Sequence, residues 1–329
     1  MTDTTNGWPI TFQDVVEARR RIRPYLEPTP TRHYPDLDEA VGHGIRVFVK
    51  HENLNPTNAF KARNGLAVIT ALSRDEVQRG VVAPTRGNHG AGIAYAGQLM
   101  GVPVTICVPL GNNPEKNSAM RGFGATLVEE GRDFDEAVEV AERLVKEKGL
   151  RMAHSVNDLM VIAGAGTITM ELIEQVTGLD AMVISVGGGS QAVGAMTVLR
   201  TLKPEVKVYA VQAEGAPAIH DSWHAGKPVA KESAVTFADG VATRNAYEYT
   251  FPALREGLAG FVTVSEGEIA EGVRTLMKAT HTMVEGAGAV GFAGLVKLRE
   301  ELAGKAVAII ISGGNIDSET LRRVMNREI

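Results

Sequence analysis

Cysteine is almost absent from this sequence, since its 329 residues include only one, Cys107. A single cysteine cannot form an internal disulfide and cannot supply a cysteine-based zinc site. Cys107 lies in an apolar run at 104–108, so we expect a small buried core residue. Disulfide scaffolds and cysteine-ligated zinc proteins are therefore excluded as classes.

Long apolar windows and blocks of positive charge are also lacking. No window is long enough to cross a bilayer, and the N-terminal stretch MTDTTNGWPITFQD lacks the charged start and apolar segment of a secretion signal. The net charge is −5, without the Lys/Arg-rich block of a nucleic-acid binder. We expect a protein of a reducing, cytoplasmic compartment that has neither a membrane nor a nucleic acid as partner.

Aromatic residues are scarce at 5%, whereas glycine is plentiful at 36 residues, which suits tight turns and close backbone approach to a ligand. Short Val- and Ile-rich runs alternate with amphipathic stretches, and this alternation predicts an α/β fold with parallel strands covered by helices on both faces. Thr11 and Asp14 form a candidate capping box for the first helix. The predicted strands are 46–50, 80–83, 104–108, 125–129, 181–186, 206–212, 261–264 and 307–312, and later helices are 89–99, 134–148, 166–176, 266–279 and 287–302.

Lys61 stands where a loop rich in turn formers (Asn55, Pro56, Asn58) passes into a helical pattern. Exposed N–H groups give a helix N-terminus partial positive charge, which disfavours the ammonium form and lowers the amine pKa. Such an amine is a better nucleophile and proton carrier. Taken alone, Lys61 is better explained as a solvated surface lysine, because most lysines are exposed.

Three further segments follow predicted strands. Residues 85–89 offer hydroxyl, amide and backbone N–H groups suited to a carboxylate, although a plain helix cap has the same composition. Residues 187–190 form a glycine loop before a helix, which suits a phosphate, although a simple tight turn would look alike. Residues 312–315 follow the last strand, at the edge where open α/β sheets bind ligands.

These four segments, in this order, resemble the pyridoxal-phosphate-dependent serine/threonine dehydratase family, which includes serine racemase and shares the tryptophan-synthase β-type fold. Pro-Thr-Asn-Ala-Phe-Lys at 56–61 matches the family's Pro-Thr-Gly-Ser-Phe-Lys, and 85–89 matches its Ser-x-Gly-Asn-His. The resemblance covers nearly the whole chain. It implies fold type II with two parallel-type sheet domains, a large one of 1–70 plus 158–329 and a small one of 71–157.

The resemblance implies a role for each segment. Pyridoxal 5′-phosphate would be carried by the catalytic Lys61, and the reaction would remove the hydroxyl and amine of L-threonine or L-serine, giving a 2-oxo acid and ammonia. The family also implies a homodimer. The cofactor-binding residues would be Phe60, Lys61, Asn88, Gly187, Gly188, Gly189, Ser190, Glu285 and Ser312, and the substrate-binding residues Thr85, Arg86, Gly87, Asn88 and His89.

The chain departs from the family pattern at several positions. Asn58 and Asn64 replace glycines and Ala59 replaces a serine, but asparagine tolerates a positive φ. Arg86 stands where serine racemase has its second proton donor, and an arginine that stays charged serves that role poorly. Its guanidinium suits a second substrate carboxylate, as in 3-hydroxyaspartate, or else it points to solvent.

A divalent cation is a further implication of the resemblance, because relatives bind Mg²⁺ or Ca²⁺ through a Glu, a carbonyl and an Asp. Glu214 and the Ala218 carbonyl align with the first two, but His220 stands at the Asp position, and imidazole is a poor ligand for hard cations. Glu285 aligns with a glutamate near the cofactor, although a helix cap explains it equally well.

Three rival functions remain open at this point. The main rival among enzymes is another β-replacing or racemising member of the same pyridoxal-phosphate fold. A nicotinamide-dependent dehydrogenase would also use glycine loops between strand and helix, but it gives Lys61 no role and lacks a full fingerprint. A non-catalytic sensor of an amino acid or phosphate ligand fits the scaffold too, because a fold does not fix a function.

Overall fold

The computed structural model describes residues 7–132 and 134–329, without the side chain of residue 135, so the first six residues of the N-terminal stretch lie outside it. Its strands are β1 (Thr31–His33), β2 (Arg46–His51), β3 (Val81–Pro84), β4 (Val104–Val108), β5 (Thr126–Glu129), β6 (Arg151–Met152), β7 (Ala181–Ser185), β8 (Lys207–Ala213), β9 (Gly260–Val264) and β10 (Ala306–Ile311).

Helices surround these strands, as the alternating pattern predicts. They are α1 (Phe12–Ile22), α2 (Pro35–Val41), α3 (Lys61–Ile69), α4 (Arg74–Arg79), α5 (Asn88–Met100), α6 (Pro114–Gly122), α7 (Phe134–Lys148), α8 (Leu159–Gln175), α9 (Ser190–Leu202), α10 (Ala218–Ala225), α11 (Phe251–Gly257), α12 (Glu266–Thr280), α13 (Gly286–Lys297) and α14 (Ser318–Met325).

The strands form a six-stranded sheet of order β1-β2-β10-β7-β8-β9 and a four-stranded sheet of order β5-β4-β3-β6. All pairs are parallel except β1 with β2, so the predicted α/β class is confirmed, with one antiparallel edge. The central strand β10 is buried along its whole length. The four-stranded sheet uses residues 81–152 only, and the division into two domains at the predicted boundaries stays a prediction.

Local capping explains where helices begin. Thr11 caps α1, its hydroxyl accepting the Asp14 N–H at 3.3 Å while the Asp14 carboxylate accepts the Thr11 N–H at 2.8 Å. Asp158 accepts the Met160 N–H at 2.9 Å, so α8 begins well before the predicted residue 166. Cys107 is a fully buried free thiol, as expected, and burial raises its pKa to about 11. Among the helices of residues 7–132 and 134–329, none combines the length and the apolar composition that a membrane span requires.

Candidate active site

The four segments selected from the sequence line one cavity of about 340 Å³, and residues that follow strands of both sheets contribute to it. That volume is within the usual range for a small-molecule site. Every residue predicted to bind cofactor or substrate lines it, namely Phe60, Lys61, Thr85, Arg86, Gly87, Asn88, His89, Gly187, Gly188, Gly189, Ser190, Glu285 and Ser312.

Lys61 is the first residue of α3, as predicted, and its side chain reaches the cavity. Its Nζ atom donates to the Ser155 carbonyl oxygen at 3.5 Å and lies 4.7 Å from the centroid of the Phe60 ring. No carboxylate pairs with this amine in the described residues. Burial therefore lowers the pKa of Lys61 to about 8, which favours the neutral, nucleophilic amine.

The loop before Lys61 is tied to the end of β10. The Phe60 N–H donates to the Ser312 carbonyl at 2.9 Å, and the Gly314 N–H donates to the Asn58 carbonyl at 2.8 Å. Asn58 has φ +53°, a left-handed conformation that asparagine adopts more readily than most residues, so it can stand where the family has glycine. These bonds place Ser312 and Lys61 on the same cavity wall.

A second wall is the glycine loop, residues 187–190. A Cβ atom on Gly188 would lie 2.0 Å from a Val156 methyl, and one on Gly187 would lie 2.5 Å from the Gly240 carbonyl, so these positions exclude side chains. The Val193 N–H is bonded to the Gly189 carbonyl at 2.9 Å, which leaves the preceding N–H groups of α9 without intrahelical acceptors. Such a helix N-terminus, with the Ser190 hydroxyl beside it, suits a phosphate.

The segment 85–89 forms a turn whose N–H groups point to the hydroxyl group of its first residue, Thr85. Thr85 Oγ1 accepts the Gly87 N–H at 3.0 Å and the Gly90 N–H at 3.3 Å. His89 Nε2 bonds to the Ala153 carbonyl at 2.8 Å, and burial, together with the nearby Lys61 charge, lowers the pKa of His89 to about 3. The N–H groups at the start of α5 remain available to an anion.

A partly buried chain of polar side chains runs from Glu285 through Asn88 to Asn315. Asn88 Nδ2 donates to Glu285 Oε1 at 2.7 Å, and Asn315 Nδ2 donates to Asn88 Oδ1 at 2.8 Å. Burial raises the pKa of Glu285, while Asn88 and the Lys116 charge oppose that shift. Glu285 precedes α13 at its N-cap position but makes no capping bond with its side chain. Its carboxyl group therefore fixes Asn88 rather than the helix.

Arg86 is exposed at the cavity edge. Its guanidinium makes no ion pair or hydrogen bond with any residue that the structure describes. By contrast, Lys116, another cation at this edge, pairs with Asp239. Arg86 is therefore free to meet an anionic ligand.

A buried charge network behind α3 was missed at the sequence level. The Arg63 Nε atom donates to Glu52 at 2.8 Å, its Nη2 atom donates to Glu171 at 2.7 Å, and Lys50 Nζ donates to Glu171 at 2.8 Å. Arg63 and Lys50 are at most 1% exposed. Charged residues inside an otherwise apolar segment were the available signal, but Glu171 is too far along the chain to be assigned as their partner from sequence.

The residues aligned with a cation site are engaged elsewhere. Glu214 lies 3.6 Å from Lys297, and the Ala218 carbonyl accepts the Ser222 hydroxyl at 2.6 Å. His220 Nδ1 bonds to Asp221 at 2.8 Å. Over residues 7–132 and 134–329, no group of three or more His, Cys, Asp or Glu side chains could hold a metal ion. These side chains do not fit a divalent cation in this arrangement.

Comparisons with known proteins agree on one family to which the chain is similar. Residues 22–313 match the family described as "Pyridoxal-phosphate dependent enzyme". The chain is 37% identical to the L-threonine ammonia-lyase of Thermotoga maritima, over 97% of this chain and 79% of that protein. It is 36% identical to the L-threo-3-hydroxyaspartate ammonia-lyase of Pseudomonas sp, over 94% and 96%. The structure of maize serine racemase superimposes with a TM-score of 0.91 at 28% identity, covering 98% of both chains.

Proposed function

The chain belongs to the pyridoxal-phosphate dependent enzyme family, and from this membership we propose that it removes the β-hydroxyl group and the amine of a small β-hydroxy-amino acid such as L-threonine or L-serine. One 2-oxo acid and one ammonia leave for each substrate consumed. The observation that carries the proposal is that Lys61 and the glycine loop line the same cavity.

The residues of the cavity fit pyridoxal 5′-phosphate. Gly187, Gly188, Gly189 and Ser190 would hold its phosphate, because they combine excluded side chains with free N–H groups at the start of α9. Lys61 would hold its aldehyde carbon, and Phe60, Asn88, Glu285 and Ser312 would surround its ring. When bound, the cofactor withdraws electrons from the substrate α-carbon.

Lys61 is proposed as the catalytic residue. A buried amine with a pKa of about 8 is partly neutral near neutral pH, so it can accept the proton from the substrate α-carbon and later return a proton. The Ser155 carbonyl, 3.5 Å from Nζ, gives the amine a fixed direction. Desolvation, rather than a charged neighbour, is what makes this amine reactive.

The segment 85–89 is proposed to hold the substrate carboxylate. The Thr85 hydroxyl already accepts two N–H groups of this turn, so the turn is preorganised before any ligand binds. The N–H groups of Asn88 and His89 then face an anion at the positive end of α5. His89 is held neutral by burial, and it therefore supplies no positive charge of its own.

The test is a substrate panel. The purified protein, saturated with pyridoxal 5′-phosphate, is given L-threonine, L-serine and L-threo-3-hydroxyaspartate, and ammonia and 2-oxo acid are both measured. Equal amounts of the two products from a hydroxy-amino acid, and none from the Lys61→Ala variant, are expected. Cofactor binding without release of either product would favour a sensor, and inverted substrate without ammonia would favour a racemase.

Arg86 supports a second candidate substrate, an acidic hydroxy-amino acid such as 3-hydroxyaspartate. The exposed guanidinium at the cavity edge suits a second carboxylate, and a Pseudomonas relative is named for that substrate. The same residue argues against racemisation, because a permanently charged guanidinium is a poor proton donor.

The Arg86→Ala variant separates the two substrates. If the acidic substrate is the natural one, kcat/KM for 3-hydroxyaspartate falls roughly 10- to 100-fold, the worth of a charge-assisted hydrogen bond, while turnover of threonine is unchanged. Arg299→Ala, at another exposed arginine outside the cavity, serves as the matched control. Preference for threonine in both the wild type and Arg86→Ala would contradict the acidic candidate.

The division into domains at 1–70 plus 158–329 and 71–157 stays a prediction, and so does the homodimer. The divalent cation expected at Glu214 and the Ala218 carbonyl does not fit the arrangement of these residues and is not proposed. The Glu214–Lys297 pair gives the cation no support. Exhaustive chelation decides that point. Loss of activity and a lower melting temperature, both restored by Mg²⁺ or Ca²⁺, would establish the cation.

A further inference from the structure

Residues 153–158, here called the connector, pass along the cavity, which Ser155 and Val156 line. The connector leaves β6 of the four-stranded sheet and enters α8, which packs against α3 and α9 behind the six-stranded sheet. Its far end is fixed by Asp158, which caps α8 and lies 2.7 Å from the Arg151 guanidinium. The connector therefore links a strand of the four-stranded sheet to a helix that packs on α3 and α9.

The connector also touches both chemical elements of the site. The Ser155 carbonyl faces Lys61 Nζ at 3.5 Å. The Val156 side chain packs on Gly188, where an added Cβ would lie 2.0 Å from a Val156 methyl. A shift of this segment would therefore move the carbonyl that directs the amine and the side chain that supports the glycine loop.

His154 holds the connector in its turn. Its Nδ1 atom accepts the Val156 N–H at 3.0 Å and the Asn157 N–H at 2.9 Å. An atom that accepts two N–H groups carries no proton, so the ring is neutral with its hydrogen on Nε2. The ring is held in place by an edge-on contact with Tyr247, at 6.0 Å between centroids.

We propose that His154 is a positioning residue, whose neutral ring fixes the connector against Lys61 and the glycine loop. The proposal rests on the proposed function only for what Lys61 does. A second bond supports the same segment, because His89 Nε2 bonds to the Ala153 carbonyl at 2.8 Å. Two histidines, His89 on α5 and His154 within the connector, thus hold this segment.

Protonation of His154 removes its acceptor. A proton on Nδ1 would face two N–H groups, so the connector would lose both bonds at once. Burial and Lys61 lower the pKa of His154, whereas the carboxylates of Asp158 and Glu142 raise it. The titratable and charged groups around it are Asp158 on the connector, Arg151 on β6, Lys61 on α3, His89 on α5, Glu142 on α7 and Tyr247.

Two variants separate the acceptor from the bulk of the ring. In His154→Asn, the side-chain oxygen lies near the position of Nδ1 and does not titrate, whereas His154→Leu keeps apolar volume without an acceptor. The readouts are hydrogen-exchange protection of the Val156 and Asn157 amides, the dissociation constant of pyridoxal 5′-phosphate, and kcat and KM against pH. Melting temperatures check that both variants fold.

We expect His154→Leu to lose protection at these two amides and to bind cofactor more weakly, each by roughly 10-fold, because two partly buried N–H donors lose their acceptor. In the wild type, protection and kcat fall on acidification below pH 6.5, the unperturbed histidine value, with KM nearly constant. The His154→Asn variant is expected to keep both its amide protection and its kcat below pH 6.5.

Equal protection in all three proteins, or a His154→Asn variant that behaves like His154→Leu at pH 7.5, would overturn the inference. Amide exchange and cofactor affinity are measured without turnover. Unchanged values in His154→Leu would therefore contradict only the role of His154. Absence of ammonia release from the wild type contradicts the proposed function alone.

Discussion

A Cβ atom on Gly92 would lie 2.1 Å from the carbonyl oxygen of Lys61, so α5 and α3 meet backbone to backbone. The contact is reciprocal, since a Cβ on Gly65 would lie 2.0 Å from the Gly92 carbonyl. The helix that carries the amine and the helix that begins at the carboxylate segment are thus held at a separation only glycine permits. The geometry of the site therefore depends on two glycines, Gly65 and Gly92, that do not line the cavity.

The first prediction is that Gly92→Ala destabilises the protein by about 1–3 kcal/mol, the usual cost of overpacking, and weakens cofactor binding by displacing Lys61. Urea unfolding and a cofactor titration measure the two effects. Gly122→Ala is the control, because a Cβ there meets nothing within 4 Å. Unchanged stability and affinity in Gly92→Ala would mean that this helix contact does not position Lys61.

The second prediction concerns the buried network around Arg63. Removing one partner leaves Glu52 and Glu171 buried with a deficit of positive charge, so Arg63→Met should lower the free energy of unfolding by about 3–5 kcal/mol. Arg143→Met breaks an exposed pair with Glu130 and should leave unfolding unchanged within error. Similar denaturant midpoints for the two variants would contradict the structural importance of the network.

The third prediction is the titration of Lys61 in the cofactor-free protein. Its neutral amine should react with an acylating reagent with a midpoint near pH 8, because burial favours the uncharged form. The exposed Lys203 serves as the control, because its side chain is not buried as that of Lys61 is. Mass mapping of labelled peptides across pH measures both lysines in one sample. Coincident midpoints would contradict the desolvation of Lys61.

The fourth prediction is a loss of stability in acid that involves His89. Its folded pKa is about 3, and the unfolded chain takes up that proton near 6.5, so the unfolded state binds more protons between these values. Stability attributable to His89 therefore falls with decreasing pH, by about 1.4 kcal/mol per unit below pH 6.5. In His89→Gln, which can still donate to the Ala153 carbonyl, the slope of unfolding free energy against pH should be shallower by that amount. An identical slope would refute the assignment.

Sequence periodicity alone predicted those elements whose apolar pattern lies within their own residues. The strand at 104–108 and the helix at 134–148 were predicted at their observed bounds, since each is defined by its own apolar pattern. The glycine loop was recognisable because a strand, three glycines and a helix follow one another. Its proposed ligand needed more than periodicity, namely the order of four segments along the whole chain.

Elements that depend on distant partners were not predicted. The strands β1 and β6 have three and two residues, too few for a pattern, and they exist because β2 and β3 offer them edges. The burial of Arg63 is set by Glu171 on α8, and the direction of the Ser155 carbonyl is set by the His154 ring. Each of these features is created by tertiary contacts, which no local pattern encodes.

The most direct test of the account asks which amine carries the cofactor. The purified protein is saturated with pyridoxal 5′-phosphate, reduced with borohydride, digested and mapped by mass spectrometry, with Lys61→Ala as the control. The account predicts one pyridoxyl group per chain, on Lys61, and none in the variant. A label on any other lysine, or an unlabelled Lys61 in a protein that turns over substrate, would contradict it.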